Sequence, residues 1–530
     1  MKLALENHFG RELKVFARRP KTITEMLACT CTSFPEKEAL IAEGERMTYR
    51  TLGERIEYIA GNLSGIYGVQ KGDRIALLIG NRIEFVLLIF ACARIGAIAV
   101  ILNTRLKEKE LAYMLSHSGA SLLCFDEECR EKVERLQQEA AAVSVRHFFL
   151  IDGTGTEKMH LPFEILLQPA EAPRVHVRET DPLFIMYTSG TTGVPKGAVI
   201  SHLGAIHGAM SYEHVMCMNE QAKTLIAVPL FHVTGLVGQL LHMIRIGGTS
   251  VLMKKYKTGP YIRLLVEENI TFLFNVPTIY VMIMSHPEFS AHTYHAVRTL
   301  AFGGAPISLE TIRNLKRFFP GAVLHNAYGA TETSSPTTIM PPHVPEQKLQ
   351  SVGMPIPVAN VKVVNADQEE CAPGEVGELL VKSPTVIEGY WDNEEATKRS
   401  FADGFWRSGD MAMIDKDGFV YIMDRMKDMI NRGGEKVFSV EVENVLYHHP
   451  SVLEAAVVGA PDQIFGEIVQ AFIVLKDGAT AGAEDIRRFV REHLAEYKVP
   501  AIIEFLDELP RNPGGKIMKS QLKKGFLAGK

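Results

Sequence analysis

The stretch "YTSGTTGVPKG", Tyr187–Gly197, decides how the rest of the chain is read. It is rich in Gly, Ser and Thr and carries Lys196, which is the composition of a loop that closes over phosphate with hydroxyls and backbone N–H groups. It is not the loop of P-loop NTPases, which needs Gly, four residues, then Gly-Lys-Ser/Thr at the start of a helix. Gly190 and Gly193 are too close, Pro195 has no N–H to offer an anion, and Gly197 stands where the magnesium-binding hydroxyl belongs. The flanks differ as well. "LFIMY" (Leu183–Tyr187) reads as a strand, "GAVIS" (Gly197–Ser201) as a second, and a helix begins only after Ser201, a good N-cap. The loop joins two strands, which argues against an ATPase that releases ADP.

Outward from the loop, helical and strand patterns alternate. "RIALLIG" (Arg74–Gly80) reads as a buried strand, "RIEFVLLIFACARIG" as a helix ended by its glycine, and "AVILN" as the returning strand. The rhythm recurs at "GGTSVLM", "YIRLLVEENI" and "TFLFNVP", which predicts an α/β fold with largely parallel sheets. After about residue 350 the strands shorten and Gly-Asp and Asp-Gly turns multiply, the mark of antiparallel hairpins. From Lys427 the chain restarts as a compact unit, with a helix near Val440–Tyr447, strands near Ala455–Gly459 and Val469–Leu475, and a helix near Ala483–Ala495. A chain of 530 residues exceeds one core, since single cores stop growing near ~250–300 residues. The expected division is a large α/β body with a β-rich part over 1–424, a hinge at 425–427 and a small mobile α+β domain over 428–530.

Bulk properties narrow the function. The net charge of −5 gives no pull toward nucleic acid. The basic end "KIMKSQLKKGFLAGK" reads mostly as a solvated surface. The seven cysteines are scattered without a CxxC pair, so neither a disulfide framework nor a zinc site is expected, and a cytoplasmic setting fits. "MKLALENHFGRELKVFARRP" has charges through its would-be apolar core and is not a signal peptide. The most apolar run, Phe85 to Leu102, is interrupted by Arg94 and Gly96 and reads as a buried helix and strand rather than a membrane span.

The opening loop resembles the signature loop of the adenylate-forming superfamily, which includes acyl-CoA synthetases, luciferases and peptide-synthetase adenylation domains. The resemblance runs over essentially the whole chain and in the family's order. "VPLFHVTG" (Val228–Gly235) looks like the acyl-pocket segment, and "FGGAP" (Phe302–Pro306) and "HNAYGATET" (His325–Thr333) like the adenine and magnesium segments. "WRSGD" (Trp406–Asp410) looks like the ribose segment, "DRMKDMINRGGEKVFSVEVE" (Asp424–Glu443) like the hinge and its following loop, and "PRNPGGKIMK" (Pro510–Lys519) like the segment with the catalytic lysine.

The resemblance implies a two-step reaction with ATP, magnesium and CoA. A carboxylate attacks the α-phosphorus of ATP to give acyl-AMP and pyrophosphate; a thiol then takes the acyl group and releases AMP. It implies that Lys516 bridges the carboxylate and α-phosphate, where charge must be neutralised as it develops. Thr188, Ser189, Gly190, Thr191, Thr192 and Lys196 would meet the outer phosphates, and Glu332 with Thr331 would hold the metal, a hard cation that prefers oxygen. Gly303, Gly304, Ala305, Asn326, Tyr328 and Gly329 would surround adenine, and Asp410 and Arg425 the ribose. Lys427 would be the pivot of a domain rotation between the steps. Gly433 and Gly434 would line the pantetheine tunnel. Ser408 and Asp424 depart from the residues most relatives carry, without removing a needed group.

For the acid, His232 stands where amino-acid-activating relatives place an aspartate, which disfavours amino acids. Val233, Thr234 and Gly235 beside it are small or apolar, and such a pocket suits an alkyl or aryl tail. The stretch 403–427 also resembles the fatty-acyl ligase signature. The expectation is a medium- to long-chain fatty acid, with a benzoate- or hydroxycinnamate-type acid as the runner-up. A ligase that loads a carrier protein, a luciferase-like oxygenase and an inactive nucleotide-binding scaffold are the competing classes. The small-molecule substrates are the expected partners, with a homodimer possible.

Overall fold

The computed structural model describes residues 1–139, 144–152, 160–188, 194–511 and 517–528, with side chains to residue 523 in the last helix. Strand Pro182–Thr188 pairs antiparallel with Lys196–Ser201, and Thr188 sits opposite Lys196 where the loop begins and ends. Pro182–Thr188 also pairs parallel with Ile98–Ile101, so the loop stands at the rim of a largely parallel sheet. That sheet continues through Arg74–Leu78, Leu122–Asp126, His147–Ile151 and Leu161–Pro162. Ser201 caps the following helix, His202–Met216, by accepting from the Gly204 N–H. The helix Ile83–Ile95 is buried almost throughout and stops where Gly96 turns left-handed at φ 71°.

A second sheet runs in parallel from Val323–Tyr328 through Thr299–Gly303, Phe272–Asn275, Lys223–Ile226 and Thr249–Leu252 to Glu38–Ala42, with antiparallel edges at both ends. One large apolar cluster joins the two sheets through Ile83–Ile95 and the residues behind Phe231. After residue 354 the predicted change of texture is present: Asn360–Val364, Gly377–Lys382, Phe405–Ile414 and Val420–Arg425 form antiparallel ladders. From Ile430 a further sheet packs its own core, with Val452–Asp462 against Gly466–Leu475 and the helices Ser439–Tyr447 and Ala483–His493 on it. The mixed α/β class and the small C-terminal α+β unit are as expected.

Two features escaped the sequence reading. Leu3–His8 and Arg11–Phe16 form a β-hairpin that docks on helix His202–Met216, with the Phe16 N–H donating to His207 Nε2 at 3.2 Å. Behind the pocket histidine, Thr234–Leu241 winds as a π-helix. Among the described residues no helix is long and apolar enough to cross a membrane.

Candidate active site

The phosphate end is assembled from three distant segments. Thr188 ends its strand, Lys196 starts the next, and Glu332 lies in the turn Thr331–Thr333 that follows strand Val323–Tyr328. Thr188 Oγ1 donates to Glu332 Oε1 at 3.1 Å. Tyr390 Oη donates to the same oxygen at 3.0 Å, and the Lys196 ammonium stands 5.2 Å from the Tyr390 ring centroid. Thr331 is half-buried beside Glu332. A half-buried carboxylate with two hydroxyls on one oxygen is a hard oxygen donor set that fits magnesium.

The segments expected to take the nucleoside lie at the carboxyl ends of two adjacent parallel strands, where open α/β sheets hold ligands. Gly303 is paired with Ala327, and a Cβ on it would lie 2.3 Å from the Ala327 carbonyl oxygen. Gly304 turns at φ +79°, and Ala305 after it is exposed. A Cβ on Gly329 would lie 1.4 Å from the Ser335 carbonyl oxygen, so no other residue fits there. Asn326 donates through Nδ2 to the Ser351 carbonyl at 2.9 Å, which fixes its amide and leaves the carbonyl end to accept.

Asp410 and Arg425 face each other across two antiparallel strands, with Arg425 Nε 3.3 Å from Asp410 Oδ1. Tyr328 Oη donates to Asp410 Oδ2 at 2.5 Å, a contact the motifs did not reveal. Burial and the neighbouring Asp410 push the Tyr328 phenol well above its ordinary value, so it remains a donor. Ser408 Oγ accepts from the Asp410 N–H at 3.0 Å and donates to the Leu379 carbonyl at 2.6 Å, so serine meets the structural need there.

The acyl segment is half-buried at His232, whose ring lies edge-on to Phe231 at 4.9 Å. Val233 is buried and Thr234 half-buried. A Cβ on Gly235 would come within 2.8 Å of the Val228 and Pro229 carbonyl oxygens, so the glycine lets the segment fold back on itself. Arg425, Met426 and Lys427 are exposed in a turn, where the Asp428 and Met429 N–H groups both donate to the Arg425 carbonyl. Gly433 and Gly434 form the tip of a hairpin at φ +61° and +97°. A Cβ on Gly433 would meet the Phe465 ring at 3.1 Å, whereas one on Gly434 meets nothing within 4 Å; backbone conformation, not crowding, demands the second glycine here.

Ser189, Gly190, Thr191, Thr192 and Lys516 lie outside the described residues. Two residues the sequence reading left aside hold central places. Tyr390 belongs to "GYW" (Gly389–Trp391), a Gly-led aromatic turn with no motif weight of its own. Asp424 is buried and accepts from the Ser439 N–H at 2.5 Å, capping the helix Ser439–Tyr447 across the proposed pivot.

Residues 27–391 match the family described as AMP-binding enzyme, and 441–516 match the AMP-binding enzyme C-terminal domain. The chain belongs to this family, the adenylate-forming superfamily. It is similar to a feruloyl-CoA synthase of Amycolatopsis sp, 34% identical over 93% of this chain and 96% of that one. It is similar also to a long-chain-fatty-acid–CoA ligase of Salmonella typhimurium, 32% identical over 95% of this chain and 94% of that one. Among solved structures, the anthranilate CoA ligase AuaEII in complex with anthranoyl-AMP superposes at a TM-score of 0.90 with 27% identity, covering 96% and 98% of the two chains. The Bacillus subtilis o-succinylbenzoate CoA synthetase, in complex with ATP and magnesium ion, superposes at 0.81 with 31% identity, covering 94% and 99%.

Proposed function

We propose that this protein is an AMP-forming acid–CoA ligase that converts ATP, a carboxylic acid and CoA to acyl-CoA, AMP and pyrophosphate through an acyl-adenylate. One observation carries the reading: Thr188, Lys196 and Glu332 converge at one end of a site whose other end holds Tyr328, Asp410 and Arg425. Lys196 meets the outer phosphates, and Asp410 and Arg425 take the ribose, a carboxylate being suited to a diol. Lys516 neutralises the charge shared by the attacking carboxylate and the α-phosphate. Glu332, with Thr331 beside it, would hold magnesium, which would supply charge neutralisation on the phosphates. The small domain, over 428–530, swings about Lys427 between the two steps and brings Gly433 and Gly434 to the thiol path. The seven free cysteines support a cytoplasmic setting.

For the acid, the feruloyl and anthranilate relatives support a compact aryl acid beside the fatty chain that the sequence favours. Behind His232, helix His202–Met216 and the π-helix Thr234–Leu241 touch at glycines. A Cβ on Gly208 would lie 2.8 Å from Val237, and one on Gly238 would lie 2.8 Å from the Phe274 ring. The fatty-acid reading keeps the support of the Salmonella relative. A panel from acetate to palmitate with benzoate, coumarate and ferulate, given Mg-ATP and CoA and read by mass spectrometry, tests both. AMP with an aryl thioester is expected. A palmitoyl thioester in preference reverses the choice of acid, acyl-AMP without thioester points to a carrier-protein acceptor, and ADP overturns the function.

A further inference from the structure

Tyr390 stands between the two groups on which the phosphate end depends. Its hydroxyl donates to Glu332 Oε1 at 3.0 Å, and its ring lies 5.2 Å from the Lys196 ammonium. Thr188 donates to the same Oε1 at 3.1 Å. Two donors on one oxygen fix the plane of a carboxylate. Among the described residues both fall on Oε1, which reserves Oε2 for a cation. Outer hydrogen bonds of this kind orient metal-binding carboxylates and tune their affinity.

The tyrosine is itself held on the same rigid unit as its two partners. It forms a β-bridge with Ala198, two residues after Lys196. The Trp391 N–H donates to the Gly197 carbonyl at 2.7 Å, and the Val199 N–H to the Gly389 carbonyl at 3.2 Å. The Ile387 N–H donates to the Glu332 carbonyl at 2.9 Å, so the segment 387–391 joins the lysine strand to the glutamate turn. Arg11, from the N-terminal hairpin, donates to the Ile387 carbonyl at 3.3 Å and braces that segment from outside.

We propose that Tyr390 is a positioning residue of the adenylate-forming step: its hydroxyl sets the metal-facing oxygen of Glu332, and its ring seats the Lys196 ammonium beside it. This rests on the roles proposed above for Glu332 and Lys196. The thioester step, which needs neither the metal nor the outer phosphates, is independent of it.

Tyr390→Phe removes the hydroxyl and keeps the ring; Tyr390→Leu removes both. Three readouts on the full-length protein separate the roles. These are Mn2+ binding to the complex with a non-hydrolysable ATP analogue, followed by electron paramagnetic resonance; acyl-AMP formation against Mg2+ concentration; and thioester formation from preformed acyl-AMP and CoA. Tyr390→Phe is expected to weaken Mn2+ binding by about 10- to 100-fold, with the Mg2+ requirement raised to match and the rate restored at saturating Mg2+. Tyr390→Leu adds a rise of about threefold in the KM for ATP, the scale of one lost exposed cation–π contact. The thioester step is unchanged in both. Wild-type Mn2+ affinity in Tyr390→Phe overturns the proposal, as does a parallel fall of both steps with a lowered Tm. If the unaltered protein makes no acyl-AMP, the proposed function fails; the Mn2+ titration still decides whether Tyr390 governs the Glu332 site.

Discussion

The proposed adenine wall and the base of the small domain are built in opposite ways. At the wall, backbone lies against backbone: Gly303 abuts the Ala327 carbonyl, and Gly329 abuts the Ser335 carbonyl, with no space for a side chain. At the base, the contacts are polar and charged. Lys519 Nζ lies 2.6 Å from Ser439 Oγ and 2.7 Å from Glu443 Oε1, and Asp424 accepts from the Ser439 N–H. Burial works against the Lys519 charge, yet Glu443 and Asp424 hold its pKa above the ordinary lysine value. Steric contact has one arrangement. Of these contacts the Asp424–Ser439 cap crosses the proposed hinge, and a cap can be broken and remade, which is what a joint between two reaction steps would require.

The largest effect expected from this contrast comes from freezing the joint. Lys427→Pro fixes φ at the proposed pivot and leaves the wall untouched. Acyl-AMP formation should persist while thioester formation from preformed acyl-AMP is lost. Single-turnover assays of the two half-reactions decide this, and equal loss of both removes Lys427 as the pivot. Breaking the charged base comes next. Glu443→Ala leaves the partly buried Lys519 ammonium with Ser439 and Asp424 alone, and the loss approaches from below the cost of about 3–5 kcal/mol for truncating one partner of a fully buried pair. Denaturant unfolding followed by a probe in the C-terminal domain should show this loss, with the adenine wall retaining AMP affinity. A smaller loss of stability with a larger loss of binding is expected from Gly329→Ala. Overpacking costs about 1–3 kcal/mol, and the displaced backbone is the one proposed to face the nucleotide. Calorimetric titration with AMP should show binding abolished while the C-terminal domain keeps its stability. Normal AMP affinity in Gly329→Ala would mean that the wall can yield, and the contrast with the joint would fail.

Legibility in the sequence followed the same division. Alternating apolar runs with their glycine stops placed the parallel strands and the helix Ile83–Ile95, because periodicity and caps are local properties. The loop between two strands was readable because Pro195 and Gly197 exclude the helical alternative. Glu332, Asp410 and Lys196 stand out as candidates because each sits in a dense motif. Tyr390 does not, because its contact with Glu332 spans 58 residues and forms only where the segment 387–391 meets the strand Lys196–Ser201 and the turn Thr331–Thr333. Asp424 read as a harmless departure, since the N–H it accepts from is 15 residues away and becomes its partner only when the helix Ser439–Tyr447 forms. The π-helix Thr234–Leu241 has the same apolar pattern as an α-helix over so short a span.

The neutral character of the large domain extends beyond the adenine wall, and pH sharpens the comparison at the smallest scale. The N-terminal hairpin and the helix Ile23–Ser33 that follows it are tied to helix His202–Met216 by two buried histidines that accept backbone N–H groups. His202 Nδ1 accepts from Ile23 and His207 Nε2 from Phe16, each at 3.2 Å, while His207 Nδ1 donates to the Leu203 carbonyl at 2.9 Å. An accepting nitrogen must be unprotonated. Burial accordingly lowers His202 to about 4 and His207 to about 3, against Asp181 and the Leu203 carbonyl, which favour the charged forms. Between pH 6.5 and 4 the unfolded chain therefore binds more protons than the folded one. Stability is complete above pH 6.5 and falls as pH drops, approaching about 1.4 kcal/mol per pH unit for each histidine. The carboxylates Glu6 and Glu179, held low by Arg19 against the opposing effect of burial in Glu179, act with the same sign at lower pH, so a series from pH 7 to 5 isolates the histidines. His207→Gln supplies an acceptor for the Phe16 N–H without a titrating group. Its urea unfolding free energy should fall less steeply over that range, by about one proton's share. An unchanged slope would place the proton elsewhere and would mean that the hairpin, like the joint, is held by charge.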